Sequence, residues 1–368
     1  MADFFIGLMS GTSMDGIDAA LVDFTATCPD IISTHSHKYP AALHRQLEAA
    51  LELEAPLNTD LTAIDVAVGE SFAAATNELL SKAGIVPENI IAIGSHGQTI
   101  RHEPDAPEPY SLQIGNPDII AMRTGIDVIA DFRRADIEAG GQGAPLVPAF
   151  HQAVFASDTE DRVILNIGGI ANITILTANT TSPVSGFDTG PGNTLMDSWT
   201  RQHLQAAMDN NGEWAASGQL DHALLEDMLT DPYFLAAPPK STGREYFNPD
   251  WLSRYTTQSG ASANNIQATL CELTAQTIAT AIQAHAGSVD RLIVCGGGAH
   301  NNHLMDRLTA NMPGLTIEST AAYGVMPDWV EAAAFAWLAR QQLAGMPGNI
   351  PTVTGATRAV SLGQLFKS

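Results

Sequence analysis

The alternation of apolar and polar residues predicts a β-hairpin at the start of the chain. An apolar run at 4–8 is followed by a turn-rich stretch at 10–16 and an alternating segment at 17–24. Residues 162–176 repeat this pattern, with an apolar strand, a glycine-containing turn and a second apolar strand. This internal repeat indicates two related domains.

Helical periodicity alternates with short apolar runs along the rest of the chain. Helices are predicted over 41–53, 61–83, 144–156, 194–204, 263–286, 301–311 and 329–345, and strands over 90–94, 127–132 and 292–295. Asn193 is predicted to cap the helix over 194–204. The polar stretch 231–250 is predicted to be a surface excursion over a cleft. The fold class is therefore α/β.

The length of 368 residues favours two domains of comparable size with a cleft between them. Ligand sites favour such clefts. No run of about 18 apolar residues occurs, so a membrane span is not expected. Asp3 stands where a secretory signal carries basic residues, and we expect the protein in the cytoplasm.

Charge and cysteine content narrow the possible partners. The formal net charge of −23 argues against nucleic acid or an anionic membrane as a partner, since both require a basic surface. The three cysteines, Cys28, Cys271 and Cys295, are scattered and predict neither a disulfide framework nor a zinc site. Basic clusters such as Arg133-Arg134 leave a small anionic substrate possible.

Three glycine-bearing turns lie next to predicted strands and could surround a polyphosphate with backbone N–H groups. The hairpins at 7–19 and 166–172 would contact the phosphates, and the loop at 296–301 would suit an adenosine. Neither the Walker A pattern nor G-x-G-x-x-G is present. Each turn alone is weak evidence, because most glycine turns are structural.

Several long motifs follow one another along the chain. They are GLMSGTSMDGID at 7–18, SHGQT at 95–99, DFRR at 131–134, GGQGAPLVP at 140–148, NIGGIAN at 166–172, GFDTGPGN at 186–193 and CGGGAHN at 295–301. These motifs, in this order, resemble those of the anhydro-N-acetylmuramic acid kinase family, which belongs to the actin/hexokinase/Hsp70-like ATPase superfamily. No departure from the family pattern is seen at these positions.

The resemblance implies two RNase H-like (actin/hexokinase-like) domains with an ATP and substrate cleft between them. We expect the first domain to contain residues 1–133 and 346–368, and the second to contain 134–345. A homodimer is also implied.

The resemblance further implies a kinase that uses ATP and Mg²⁺ in peptidoglycan recycling. Water opens the 1,6-anhydro ring of 1,6-anhydro-N-acetylmuramic acid, and O6 takes the γ-phosphoryl group, giving N-acetylmuramic acid 6-phosphate and ADP. Asp188 is the expected base for this water, with Glu331 as an auxiliary carboxylate. No direct protein ligand to Mg²⁺ is expected, although Asp15 or Asp188 could reach it through water.

The remaining candidate residues are expected to bind either the nucleotide or the sugar. For ATP they are Gly11, Thr12, Ser13, Met14, Asp15, Gly16, Ile17, Asp18, Asn166, Gly168, Gly169, Gly190, Gly192, Gly297, Gly298 and Asn301. For the sugar they are His96, Gln98, Arg133, Arg134 and Gln142. Plainer interpretations stay open for three: His96 as a satisfied buried histidine, the arginines as a solvated pair, and Glu331 as an acid favoured by its helix dipole.

Three other functions are compatible with parts of the sequence. Short segments mimic protease motifs, but the order Ser13, His96, Asp188 reverses that of subtilisins, and no second Asp-Thr-Gly occurs. A kinase of the same superfamily acting on an ordinary sugar hydroxyl remains an alternative. A nucleotide-gated, chaperone-like protein is a third, although the chain has no added peptide-binding domain.

Overall fold

The computed structural model describes residues 3–11, 14, 16–26, 28–52, 60–179, 182–257 and 259–368. The chain divides into two compact units, one formed by Met1–Val154 with Tyr323–Ser368 and the other by Phe155–Ala322. The strands are β1 (Phe4–Ser10), β2 (Ile17–Asp23), β3 (Asp30–His37), β4 (Ala92–Glu103), β5 (Tyr110–Ile114), β6 (Val128–Ala130), β7 (Arg162–Ile167), β8 (Ile170–Leu176), β9 (Ser185–Pro191), β10 (Arg291–Cys295), β11 (Thr316–Ser319) and β12 (Gln364–Phe366).

The α-helices connect and cover these strands. They are α1 (Ala41–Glu52), α2 (Thr62–Ala83), α3 (Pro117–Thr124), α4 (Arg134–Glu138), α5 (Val147–Phe155), α6 (Thr194–Leu204), α7 (Glu213–Ala216), α8 (His222–Leu229), α9 (Pro232–Leu235), α10 (Pro249–Thr256), α11 (Ala263–His285), α12 (Asn302–Asn311), α13 (Val330–Leu343) and α14 (Pro351–Thr354). No helix in the described part of the chain has the length and apolar character needed to cross a membrane.

The first unit is built on a sheet with the strand order β12-β6-β4-β1-β2-β3, and β5 pairs with β4. Strands β1, β2 and β3 are antiparallel, whereas β4 runs parallel to β1 and β6 parallel to β4. Helix α13 packs on β1 and β4. This approach requires glycine in both strands, because a Cβ at Gly7 would clash with the Ala332 carbonyl and one at Gly94 with the Phe335 carbonyl.

The second unit repeats this topology in the order β11-β10-β7-β8-β9. Again three antiparallel strands are followed by two parallel ones. Helix α11 packs on β8 and β9, and its apolar face joins Leu165, Phe247 and Trp251 in one buried core. The predicted mixed α/β class with two sheets is confirmed, and the two predicted hairpins are β1–β2 and β7–β8.

The unit boundaries differ from the predicted domains. Residues 134–154 and helix α13 belong to the first unit. The buried carboxylate of Asp136 explains part of this, since it accepts hydrogen bonds from Gly143 N–H at 2.7 Å, Asn349 Nδ2 at 2.6 Å and Thr354 Oγ1 at 2.7 Å. These bonds tie the segment after Arg133 to the C-terminal part of the same unit.

Asn193 occupies the N-cap position of α6, as predicted, but its side chain does not cap the helix. Asn193 has helical backbone angles, and its side chain makes no capping hydrogen bond. Its Nδ2 instead donates to the carbonyls of Ile167 at 3.1 Å and Gly168 at 3.0 Å. A polar side chain before a helix can bond to distant backbone, which local sequence does not reveal.

Candidate active site

A double-glycine turn between β7 and β8 is held by the segment after β9. The Gly169 carbonyl accepts from Gly192 N–H at 2.9 Å, and the Gly168 carbonyl accepts from Asn193 N–H at 2.9 Å. Together with the two hydrogen bonds from the Asn193 side chain, these contacts hold Gly168, Gly169 and Gly192 close together. The sequence predicts that all three glycines bind ATP. The turn is therefore a fixed element of the second unit.

Four of the glycines predicted to bind ATP differ in how much space the second unit leaves for a side chain. A Cβ at Gly168 would meet only one ordinary contact, at 3.5 Å, and a Cβ at Gly297 would meet nothing within 4 Å. In contrast, a Cβ at Gly192 would clash with the Gly168 carbonyl, and one at Gly298 with the Ile167 side chain. The first group leaves backbone open to an approaching ligand, whereas packing requires the second.

The loop between β10 and α12 begins with Gly296 at φ +80°, a left-handed conformation that favours glycine. A Cβ here would also clash with the side-chain oxygen of Asn166. At the end of the loop, the Asn301 side chain accepts from Leu304 N–H at 3.0 Å and caps α12. The Asn301 oxygen is thus engaged in the fold, and the exposed backbone at Gly297 is the accessible part of this loop.

Asp188 lies in β9 with a half-buried side chain. Its Oδ2 accepts from Thr242 N–H at 3.0 Å, its own N–H donates to the Lys240 carbonyl at 3.1 Å, and its carbonyl accepts from Tyr233 Oη at 2.8 Å. Burial raises the pKa of the Asp188 carboxyl to about 6, helped by the negative charge of Glu245 and opposed by the Thr242 hydrogen bond. The group is therefore ionised at neutral pH and ready to take a proton.

Basic side chains from the 231–250 stretch lie close to these turns. A Cβ at Gly169 would lie 3.0 Å from Arg244 Nε, so the guanidinium lies against the glycine turn. Lys240 Nζ donates to the Tyr233 carbonyl at 3.0 Å. Gly190 has φ +146°, and a Cβ there would lie 2.8 Å from the Phe234 ring. The predicted surface excursion thus forms the immediate surroundings of Asp188 and the turn.

The first glycine turn, in the first unit, is described in part. The predicted contacts Thr12, Ser13 and Asp15 lie outside the described residues. Met14 has a left-handed backbone at φ +55°, and its N–H donates to the Gly11 carbonyl at 3.1 Å. The Ile17 side chain is fully buried in the core, so only its backbone could contact a nucleotide. Asp18 Oδ1 accepts from Ser36 Oγ at 2.6 Å.

A buried polar network supports this turn. Ser10 Oγ donates to Gln98 Oε1 at 2.7 Å and lies within hydrogen-bonding distance of the Gly16 carbonyl at 2.9 Å, and Tyr39 Oη donates to Ser10 Oγ at 3.0 Å. Gln98 Nε2 lies 3.3 Å from the Gly11 carbonyl. The Gln98 amide is completely buried, so its contacts hold the two ends of the turn instead of projecting into solvent.

His96 and Arg133 form a close pair in the first unit. Arg133 Nη2 lies 2.8 Å from His96 Nε2, and Arg133 Nη1 donates to the Gly143 carbonyl at 2.8 Å. Because an arginine can only donate, His96 Nε2 is the acceptor and the imidazole is neutral. Burial and the Arg133 charge lower the pKa of His96 to about 3. Burial lowers the pKa of Arg133 to about 10, so the guanidinium stays charged at neutral pH.

Glu331 opens α13 and belongs to the same electrostatic neighbourhood. Burial of the carboxyl and the Asp18 charge raise the pKa of Glu331, and the Arg133 charge lowers it. Water nevertheless reaches the residue, whose side chain is exposed. Glu331 is therefore accessible to a small molecule, although neighbouring protein atoms partly desolvate its carboxyl.

The other two predicted sugar contacts lie on the surface of the first unit. Arg134 is 62% exposed and forms an ion pair with Asp131, with 2.8 Å between Arg134 Nε and Asp131 Oδ2. The Asp131 backbone is left-handed at φ +57°, an uncommon conformation for a residue with a side chain. Gln142 is exposed, and its N–H donates to the Thr354 carbonyl at 2.8 Å. The two adjacent arginines therefore have different environments.

The sequence matches a family model over residues 3–368, and that model describes anhydro-N-acetylmuramic acid kinase. The chain belongs to the anhydro-N-acetylmuramic acid kinase family. An anhydro-N-acetylmuramic acid kinase from Shewanella sp. (strain ANA-3) is 53% identical over 369 aligned residues, covering 99% of both chains. One from Shewanella oneidensis is 52% identical over 366 aligned residues, again covering 99% of both.

A solved structure shows a more distant likeness. The (R)-2-hydroxyglutaryl-CoA dehydratase component A of Acidaminococcus fermentans is 13% identical with a TM-score of 0.49, and the match covers 93% of this chain and 99% of that chain. Membership of the anhydro-N-acetylmuramic acid kinase family rests on the sequence relatives and not on this structure. The family is one of ATP-using kinases, and the chain is an enzyme of that kind.

The motifs that carry the resemblance to anhydro-N-acetylmuramic acid kinases do not include the residues that surround Asp188. Tyr233, Lys240, Thr242 and Arg244 all lie in the polar 231–250 stretch, outside every motif that carried the resemblance. One signal could have found two of them, since Lys240 and Arg244 are among only 17 basic residues in a chain with 40 acidic ones. Their clustering marks a place suited to an anion.

Proposed function

We propose that the chain hydrolytically opens the 1,6-anhydro ring of 1,6-anhydro-N-acetylmuramic acid and phosphorylates O6 with ATP, giving N-acetylmuramic acid 6-phosphate and ADP in peptidoglycan recycling. The observation that carries the mechanism is the environment of Asp188. Its half-buried carboxyl is oriented by Thr242 N–H, and its pKa is raised to about 6. A base whose pKa lies near the working pH is efficient in proton transfer.

In the proposed reaction, Asp188 takes a proton from a water molecule as that water attacks C1. The new C1–O bond forms while the C1–O6 bond of the bridge breaks, and O6 takes the γ-phosphoryl group as ADP leaves. The proton on Asp188 then passes to solvent. A base that acts through an inserted water follows the logic of inverting glycoside hydrolysis.

The phosphates of ATP would lie against the open backbone of the second unit. The free space at Gly168 and Gly297 fits this role, as does the guanidinium of Arg244 beside Gly169. The adenosine would use the loop at Gly296–Asn301. We assign Asn166, Gly190, Gly192 and Gly298 to shaping these turns, because their contacts lie within the protein. Gly11, Met14, Gly16, Ile17 and Asp18 would contribute the turn of the first unit.

Mg²⁺ would neutralise charge on the β- and γ-phosphates. The carboxylate of Asp188, ionised at neutral pH, fits an outer, water-mediated contact to this ion. Asp15 is the second candidate for that contact. Neither residue is proposed as a direct ligand.

The sugar would be recognised by the cluster on the first unit. One of Arg133 and Arg134 would pair with the lactyl carboxylate, and neutral His96 holds the Arg133 guanidinium in place. Glu331, accessible and with a raised pKa, would accept a hydrogen bond from the attacking water. Gln142 is exposed and could contact the substrate, whereas buried Gln98 positions the first glycine turn.

Two wider expectations belong to the same proposal. We place the reaction in the cytoplasm, where ATP is supplied, and we propose a homodimer, which light scattering coupled to size-exclusion chromatography would test.

The function itself is tested by mass spectrometry of the products formed from ATP, Mg²⁺ and 1,6-anhydro-N-acetylmuramic acid. A ring-opened 6-phosphate supports the proposal, and phosphorylation of a reducing hexose with no reaction of the anhydro sugar contradicts it.

A further inference from the structure

The geometry points to a transition-metal site, best suited to Zn²⁺, formed by His35, His37 and Glu78 on the first unit. Residues at positions i and i+2 of a strand point to the same face, so His35 and His37 project together from β3. Helix α2, which carries Glu78, packs across β2 and β3. The site would therefore join a strand to the helix that covers it.

The ligand atoms are already gathered. His35 Nε2 lies 2.6 Å from Glu78 Oε2, and His37 Nδ1 lies 2.9 Å from the same oxygen. Within the described ranges, these side chains are the one group of at least three His, Cys, Asp or Glu residues whose ligand atoms all lie within 4.8 Å of one another. Two nitrogens and one carboxylate oxygen thus converge on a volume the size of one ion.

The donor set favours Zn²⁺ over Mg²⁺ or Ca²⁺, because imidazole nitrogens bind borderline-soft ions and hard ions prefer oxygen. Zinc bonds to nitrogen and oxygen are about 2.0–2.2 Å long, so the three side chains need only small shifts to admit the ion. A site of two histidines and one carboxylate leaves a fourth position for water. The side chains of His35, His37 and Glu78 are 26%, 19% and 50% exposed, so an ion can enter from solvent.

The surroundings are compatible with a bound cation. Lys82, one helical turn further along α2, donates its Nζ to the Thr34 carbonyl at 2.8 Å and helps to hold the helix against the strand. The Lys82 charge opposes a cation, but the chain as a whole carries a net charge of −23.

The position suggests a structural role. Strand β3 is at the edge of its sheet, with β2 as its only neighbour in the described strand order. Edge strands expose unpaired backbone and need protection. An ion shared by β3 and α2 would fasten this edge, and this inference is independent of the proposed kinase reaction.

The test uses untagged, chelator-treated protein and Zn²⁺ alone, in competition with a chromophoric chelator of known affinity. We expect one Zn²⁺ per chain. Loss of an outer-shell partner of a metal site typically weakens binding by about 10–100-fold, so His35→Ala and His37→Ala, which remove ligands, should each weaken it at least about tenfold. Glu78→Gln should weaken it as well.

His44→Ala is the matched control. His44 lies in α1 of the same unit and pairs with Glu48 at 3.4 Å, without a second histidine among the described residues within reach. This variant should bind Zn²⁺ like the wild type. Equal affinity in wild type, His35→Ala and His37→Ala would overturn the proposal, as would equal losses in all the histidine variants.

Two further measurements distinguish loss of Zn²⁺ binding from unfolding and locate the bound ion. Thermal unfolding without metal establishes that each variant is folded, and added Zn²⁺ should raise the melting temperature of the wild type but not of His37→Ala. Crystals soaked in Zn²⁺ should give an anomalous diffraction peak between the three side chains. A peak elsewhere, with none at this site, would overturn the assignment.

Discussion

The backbone N–H of Thr242 donates to Asp188 Oδ2 at 3.0 Å. This bond favours the ionised carboxylate and holds one of its oxygens in place. Burial and the Glu245 charge act in the opposite direction and prevail, so the pKa of Asp188 rises to about 6. Asp188 is thereby fixed in orientation and poised as a proton acceptor near neutral pH.

The activity should fall in acid because the base must be unprotonated. Below the Asp188 pKa of about 6, kcat/KM should drop about tenfold per pH unit. Glu245→Gln removes a charge that raises this pKa and should move the acid limb to lower pH. The measurement is kcat/KM against pH for both proteins, and a profile that stays flat through this range would argue against Asp188 as the base.

The glycines should separate into two classes on substitution. Gly168→Val and Gly297→Ala place side chains where the protein leaves space, so they should raise the KM for ATP at least about tenfold with little change in thermal unfolding. Gly298→Ala clashes with Ile167 and should lower the melting temperature instead. If both open-space variants keep the wild-type KM for ATP, these loops do not contact the nucleotide.

Sequence periodicity predicts those elements whose formation depends on residues close together in the chain. The hairpins β1–β2 and β7–β8 follow from alternation around glycine turns, and long helices such as α2 and α11 follow from their apolar faces. Unit boundaries were not predictable in this way. The assignment of α13 depends on its packing against β1 and β4, which short-range pattern does not encode.

The candidate site shows the same division. The motifs predict Asp188 and the glycine turns as candidates, but the contacts of Tyr233, Lys240 and Thr242 with Asp188 join positions about 45–54 residues apart. Likewise, the neighbouring arginines look equivalent in sequence. Arg133 is bonded to His96 and Gly143, whereas Arg134 is an exposed partner of Asp131.

The two arginines should respond differently to substitution. If Arg133 pairs with the lactyl carboxylate, Arg133→Ala should cost about 1.5–3 kcal/mol of substrate binding, seen as an increase of about 10–100-fold in KM for the sugar. It should also lower stability, because Gly143 and His96 lose a partner. Arg134→Ala removes an exposed ion pair and should change stability by at most about 0.5 kcal/mol.

Steady-state kinetics with the anhydro sugar, together with urea unfolding, measures both effects. An increased KM only in Arg134→Ala would assign the carboxylate to Arg134. A normal KM in both variants would show that neither arginine binds the substrate.

The most direct test of the mechanism is the fate of ¹⁸O from labelled water. If Asp188 activates water for attack on C1, the label must appear at the anomeric oxygen, and the phosphate ester at O6 must keep the unlabelled bridge oxygen. The product has to be analysed promptly, because a reducing sugar slowly exchanges its anomeric oxygen with water. Asp188→Asn should abolish ring opening and phosphorylation together while ATP binding is retained. Label at O6, or near wild-type turnover by Asp188→Asn, would contradict the mechanism.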